Sequence, residues 1–241
     1  MDLTHVTALS FDCYGTLIDW EAGIAAVVGP WGRAHEPGMT DEELLVAYAD
    51  REAEVLREHP VMPYPDALQE AFRRTGRALG YPVTDAEADT LGASVPDWPA
   101  FQDSEGALAR LKQRYELIIL SNVDRAGFTA SNRRLGVPFD AVLTAEDVGS
   151  YKPQPANFDA LIDTAARMGH AGRLLHVAQS LFHDHVPARR VGLPGVWINR
   201  RHDRPGWGAT PDPGAVIQPD LEFPTLDAFA SAVDRAFAGP G

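Results

Sequence analysis

The sequence predicts an α/β fold, a doubly wound parallel sheet with a helical cap inserted after the first strand, and three observations carry that expectation. Short apolar runs at residues 6–11, 116–122, 140–145, 173–179 and 195–200 have the length and character of buried strands. Between them lie stretches with helical spacing: Leu108 and Leu111 share a face in 104–115, and Phe158, Leu161, Ile162 and Ala165 share one in 156–169. The third observation is the stretch 20–99, where nothing resembles a core strand. Strands alternating with helices build a parallel sheet covered on both faces, and its ligands sit beyond the carboxyl ends of the strands.

Taken in order, the first strand runs into Asp12 and then a glycine turn at Gly15. The segments 40–59 and 66–80 are strongly helical; Thr40 with Glu43 forms a capping box, and Gly80 before Pro82 is a stop. An insertion at this point hangs over the strand end that carries Asp12, where a lid excludes water and shapes a pocket. The expected division is a core of residues 1–18 and 100–241 and a cap of 19–99. The Pro- and Gly-rich tract 204–214 reads as a surface loop before a last helix at 226–239.

Composition narrows the function. With 241 residues, 45% of them hydrophobic and 23% charged, the chain is long enough for one sizeable core plus an appendage. A formal charge of -13 disfavours nucleic acid and anionic lipid as partners, and no basic patch offsets it. The lone Cys13 excludes an intramolecular disulfide framework and a cysteine-based zinc site. No charged start leads into an apolar run, and no stretch approaches the roughly 18–20 apolar residues that span a bilayer. The expected compartment is the cytoplasm.

Four signals fall at the ends of the expected strands, and each alone has an ordinary structural explanation. Asp12, in FDCYGTL, projects beyond the sheet edge, as would an aspartate that merely caps a turn. Ser121 and Asn122 close the second run, where they bind an anion or cap the next helix. Lys152 stands before Pro153 in a loop, where most lysines are solvated. Gln179, Ser180 and Asp184 follow the fourth run, and Asp184 equally suits the first turn of a helix.

In order and setting, FDCYGTL, LSN, KP and the segment around Asp184 resemble the motifs of the haloacid dehalogenase superfamily, and with WINR they look most like its type II 2-haloacid dehalogenase branch. The resemblance implies a Rossmann-like core with a helical cap. It also implies Asp12 as nucleophile, Thr16 and Ser121 as hydrogen-bonding partners, Asn122 as a site residue, Lys152 as the cationic neighbour, and Asp184 as a group orienting Asp12, Lys152 or water. Tyr14, Gln179, Ser180 and Arg51 are the residues expected to meet a small anionic substrate. A homodimer is compatible with this reading; the chain itself does not specify an assembly.

Two chemistries of the superfamily begin with the same attack by Asp12 and differ in the leaving group. Phosphatases of the superfamily carry a second aspartate two positions after the nucleophile to protonate the departing alkoxide. Here that position is Tyr14, whose phenol, ordinarily near pKa ~10, is a poor acid at neutral pH, whereas a halide needs no proton. Where such phosphatases present an acidic pair for Mg²⁺, this chain has Ala178 and Gln179; Asp12, the Tyr14 carbonyl and Asp184 would make only a weak site. Hydrolytic dehalogenation of a small 2-haloacid without a cofactor is therefore the leading expectation. A magnesium-dependent phosphatase and a catalytically silent anion- or partner-binding protein remain the alternatives. Two departures from the dehalogenase pattern stand out. No cap arginine aligns, Arg51 and Arg57 being the nearest, and AQSLFHD has one residue more than the dehalogenases' version. His183 and His185 read as exposed helix histidines, and Trp20 and Trp98 border the cap.

Overall fold

The computed structural model describes residues 1–214 and 216–239. Among them six parallel strands form one sheet: β1 (Ala8–Phe11), β2 (Glu116–Ser121), β3 (Ala141–Thr144), β4 (Leu174–Ala178), β5 (Gly195–Ile198) and β6 (Leu221–Phe223), in the order β3-β2-β1-β4-β5-β6. All the expected strands are present, within a residue or two; β6 has no counterpart in the sequence reading, because two half-buried residues on either side of the exposed Glu222 leave no apolar run to see. The chain builds outward from β1 on one side and then on the other. The ends of β1 and β4 therefore flank the switch point where such sheets hold ligands.

Period-two alternation divides each strand between two layers. Leu9, Phe11, Leu117, Ile119, Leu175 and Val177 pack with α5 (Ser104–Leu111) and α10 (Leu226–Ala238). Ala8, Ile118, Leu120 and Leu174 pack on the opposite face against α8 (Pro155–Arg167) and α9 (Val186–Arg190). On α8 the buried face holds Phe158, Leu161 and Ala165, but Ile162 points outward, one position beyond the stripe that the spacing suggested. α6 (Arg125–Leu135) and the short α7 (Ala145–Val148) follow β2 and β3.

The helical insertion comprises α1 (Trp20–His35), α2 (Asp41–Glu58), α3 (Tyr64–Leu79), α4 (Asp85–Gly92) and a 3₁₀ turn at Val95–Asp97. Asp19 caps α1 through a bond from the Ala22 N–H (3.0 Å), and the Thr40–Glu43 capping box opens α2 as expected. Gly80, left-handed at φ 83°, ends α3. The two crossings between insertion and core are clasped together. Asp19 N–H donates to the Pro99 carbonyl (2.8 Å), Phe101 N–H donates to the Leu17 carbonyl (3.0 Å), and Ile18 bridges Ala100. The apolar cluster of the sheet continues through Trp20, Val95 and Trp98 into Ile24, Leu44 and Phe72, so the cap rests on the end of the sheet. Among the described residues no helix is long and apolar enough to cross a membrane.

Candidate active site

Asp12 follows the last residue of the central strand and is 5% exposed. The chain then turns tightly: Leu17 and Ile18 N–H both donate to the Cys13 carbonyl, and Gly15 sits at φ 95°. A Cβ on Gly15 would lie 2.8 Å from the Trp20 indole nitrogen, so both backbone sign and space demand glycine there. This turn brings the Thr16 hydroxyl back to donate to Asp12 Oδ2 at 2.6 Å, while Thr16 Oγ1 itself accepts from Gln179 N–H at 2.9 Å.

Lys152, 2% exposed, reaches the same point from the loop after α7. Its ammonium donates to Asp12 Oδ1 (2.8 Å), Asp184 Oδ1 (2.7 Å) and the Leu120 carbonyl (3.0 Å), which engages all its protons. Asn122 fixes the lysine's backbone from both sides, accepting from Lys152 N–H at 2.7 Å and donating to its carbonyl at 3.2 Å. It thus serves as a bracket for the loop. Ser121 lines the cavity but makes no bond to Asp12; its oxygen accepts from Val123 N–H at 3.4 Å.

Asp184 lies in a π-helical turn, Leu181–His185, in which His185 N–H reaches back to the Ser180 carbonyl. Ser180 caps it, accepting from His183 N–H at 3.0 Å. Asp184 Oδ1 accepts from Lys152 and from His176 Nε2 (3.0 Å), which leaves His176 Nδ1 to accept from the Ser10 hydroxyl (2.9 Å). Oδ2 of Asp184 is buried without a partner. His176 and Ser10 are a support that the sequence reading missed, because both stand inside runs that read as ordinary strand core.

The electrostatics follow from burial and one shared cation. Burial raises the Asp12 carboxyl; Lys152 counters it and the charge of Asp184 adds to it. Burial also works against ionised Asp184, but Lys152 and His176 outweigh it and hold that carboxyl below the usual range. For Lys152 the two acids outweigh desolvation and keep the ammonium charged. Tyr14 gives its hydroxyl to a mutual bond with Ser131 (2.8 Å), and burial pushes its phenol well above the ordinary value. His183 and His185 are not the exposed histidines expected: His185 is buried and His183 lines the cavity. Burial pulls both down to about 4, so neither adds positive charge at neutral pH.

Between sheet and cap lies a small cavity, with about 50 Å³ open to a water-sized occupant. Its floor is Asp12, Ser121, Asn122, Lys152 and Asp184; its walls include Tyr14, Trp20, Gln179 and His183; its roof is Glu52, Leu56 and Tyr64. Trp98 packs edge-on to Tyr14 at 5.5 Å and stays in the core. Arg51 does not reach the cavity. Its guanidinium holds both oxygens of Glu54 at 2.8 Å, and Arg57 points to solvent beside Glu58. The tract 204–214 is more than a surface loop: Ala209 is buried, its N–H donates to Glu21 (2.9 Å), and Thr210 enters the cavity wall beside Gln179.

The family model described as haloacid dehalogenase-like hydrolase matches residues 6–171. The chain belongs to this family. Haloacid dehalogenase-like hydrolases also supply its structural neighbours. The L-2-haloacid dehalogenase RSc1362 superposes with a TM-score of 0.77 at 25% identity, over 95% of this chain and 99% of that one. The L-2-haloacid dehalogenase from Xanthobacter autotrophicus gives 0.74 at 19% identity, over 95% and 98%. A magnesium-bound structure of the HAD-hydrolase YfnB from Bacillus subtilis gives 0.72 at 18% identity, over 95% and 99%; these last two share the fold. No curated protein matches the sequence.

For a haloacid dehalogenase-like hydrolase the question of magnesium turns on the oxygens available. The residues here do not fit the ion. Mg²⁺ demands near-octahedral oxygen ligands. Lys152 and Thr16 engage both oxygens of Asp12, Asp184 offers one free oxygen, and Gln179 supplies a neutral amide beside Thr210. Among the described residues no group of three or more His, Cys, Asp or Glu is arranged to hold a metal.

Proposed function

We propose that this chain hydrolyses the carbon–halogen bond of a small organic halide through an ester on Asp12, without a metal. The observation that carries the reading is the geometry around Asp12: a buried carboxylate held by Lys152 and Thr16 at the mouth of a cavity, with Tyr14 rather than an acid two positions on and its hydroxyl held by Ser131. Asp12 attacks the halogen-bearing carbon, and the halide departs with the bonding pair, needing no proton. The cavity wall at Tyr14 suits such a leaving group, since its phenol is held by Ser131 and resists ionisation.

The second step opens the ester. A water adds to Cγ of Asp12 and passes one proton to the free oxygen of Asp184; the intermediate then expels the alkoxide, which leaves as the alcohol after taking that proton. Lys152 disperses the negative charge on Oδ1 in the resting carboxylate and again in the tetrahedral intermediate. The balance is organic halide plus water giving alcohol, halide and one proton. Chloride release from 2-chloropropionate and other small chlorides, compared with Asp12→Asn, tests the reading. Release that depends on Asp12 supports it, and no release above the variant across the panel overturns it.

A further inference from the structure

The roof of the cavity carries an acid where a charge-neutralising cation was expected. Glu52 stands on α2, one turn before Leu56, and is 8% exposed. Among the described residues its carboxyl makes one hydrogen bond, from the Tyr64 hydroxyl to Oε1 at 3.1 Å, and Oε2 is left for whatever occupies the cavity. The groups facing it are Tyr48 on its own helix, Tyr64 on α3 and Tyr151 after α7, with Asp12, Lys152, His183 and Asp184 across the space. The Tyr48 hydroxyl is buried without a partner.

The charges on the floor already leave no room for another anion. Lys152 is the one ammonium or guanidinium lining this cavity among the described residues, and two carboxylates share it. A substrate carboxylate would bring a third negative charge to that lysine and face Glu52 across a water-poor space, where like charges repel strongly. Glu52 Oε2, open to the cavity and without a protein donor, gains a hydrogen bond from a ligand that supplies one.

We infer that Glu52 determines specificity in this cavity by accepting a hydrogen bond from the substrate, so that the preferred substrates are small halides bearing an amide, hydroxyl or ammonium group in place of a carboxylate. The inference rests on the aspartyl-ester chemistry proposed above and gives it a substrate class. Burial lifts the Glu52 carboxyl to about 7, so its preference for a donor is full above neutrality and relaxes below, where the protonated acid donates instead.

The near-isosteric pair 2-chloropropionamide and 2-chloropropionate tests this. At about pH 8.5 the wild type favours the amide by about tenfold or more in kcat/KM, mostly through KM. Glu52→Gln, which both donates and accepts, brings the two substrates level. Lowering the pH of the wild type to about 6 shrinks the ratio, and that arm needs no variant; Asp12 titrates equally for both substrates and cancels. A wild-type ratio near one, or a ratio that neither Glu52→Gln nor pH alters, overturns the role of Glu52. Single turnover in oxygen-18 water separates the two levels of failure. Label in the Asp12 peptide with an unaltered ratio removes only the specificity assignment, whereas no label from either substrate removes the ester chemistry and the assignment together.

Discussion

Asp184 meets the Lys152 ammonium at 2.7 Å and Asp12 meets it at 2.8 Å, so in the proposed reaction the acid that readies water also secures the cation beside the nucleophile. The two proposed steps then divide between two carboxylates that share one lysine. Asp184→Asn keeps the shape but loses the oxygen that takes the water proton. The halide is released once, and ester hydrolysis then slows by about 100-fold or more. Mass spectrometry of the Asp12 peptide after reaction shows the accumulated ester; continued turnover at the wild-type rate contradicts the assignment.

The same variant shifts the pH profile. Asp12 attacks only when ionised, so single-turnover halide release rises with pH as its proton is lost. Burial places that rise above the ordinary 3.8, and the charge of Asp184 pushes it further up. Removing that charge in Asp184→Asn moves the ascending limb to lower pH. A limb that stays in place, or moves up, shows that the two acids are not coupled as described.

Replacing Lys152 by Met leaves two buried carboxylates facing each other without a cation. The expected loss at neutral pH is about 3–5 kcal/mol of stability, together with a fall in halide release of about 100-fold or more. Both acids are then raised above their unfolded values, so the variant recovers stability as pH falls and they take up protons. Urea unfolding at several pH values measures this, and a pH-independent loss is the contrary outcome.

His176→Phe removes one donor from Asp184 and leaves the Ser10 hydroxyl without its partner. The cost to stability is about 1–3 kcal/mol. The kinetic signature is selective: ester hydrolysis slows while the first release of halide is nearly retained, because His176 touches Asp184 and not Asp12. Equal slowing of both steps in single-turnover experiments points to a general loss of structure instead.

Glu52 makes a separate prediction about stability. Its carboxyl rises from 4.5 unfolded to about 7 folded, so the folded state binds its proton more tightly. The stabilising share of that proton is complete below the unfolded value and is lost as pH rises towards the folded one. Glu52→Gln is therefore more stable than the wild type at about pH 8, by up to roughly 3 kcal/mol, and level with it near pH 4. Thermal unfolding of both proteins across that window checks the sign.

Asp12, Thr16, Lys152 and Asp184 were legible because each follows a buried strand or its connecting loop, where side chains gather at one edge of the sheet. The roof was not legible. In the run around Arg51 and Glu52 every other position is charged or small, and periodicity does not say which charge turns inward; adjacent residues on a helix point about 100° apart. Arg51 faces Glu54 on the outside, and its neighbour enters the cavity. Thr210 was hidden for a different reason: a Pro- and Gly-rich tract carries no pattern that reveals what it folds against.

The clasp that joins residues 17–19 to 99–101 makes the cap a graft with a sealed stem. Everything between those points departs and returns at one spot beside the central strand. A replacement of that span that keeps the clasp and the contacts of Trp20 with Gly15 and of Trp98 with Tyr14 is expected to preserve the register of β1 and the aim of Asp12. On the reading proposed above, guest preference lies in the roof and bond-breaking chemistry in the floor, so new reactivities in this scaffold are best sought by exchanging the roof while the floor is kept.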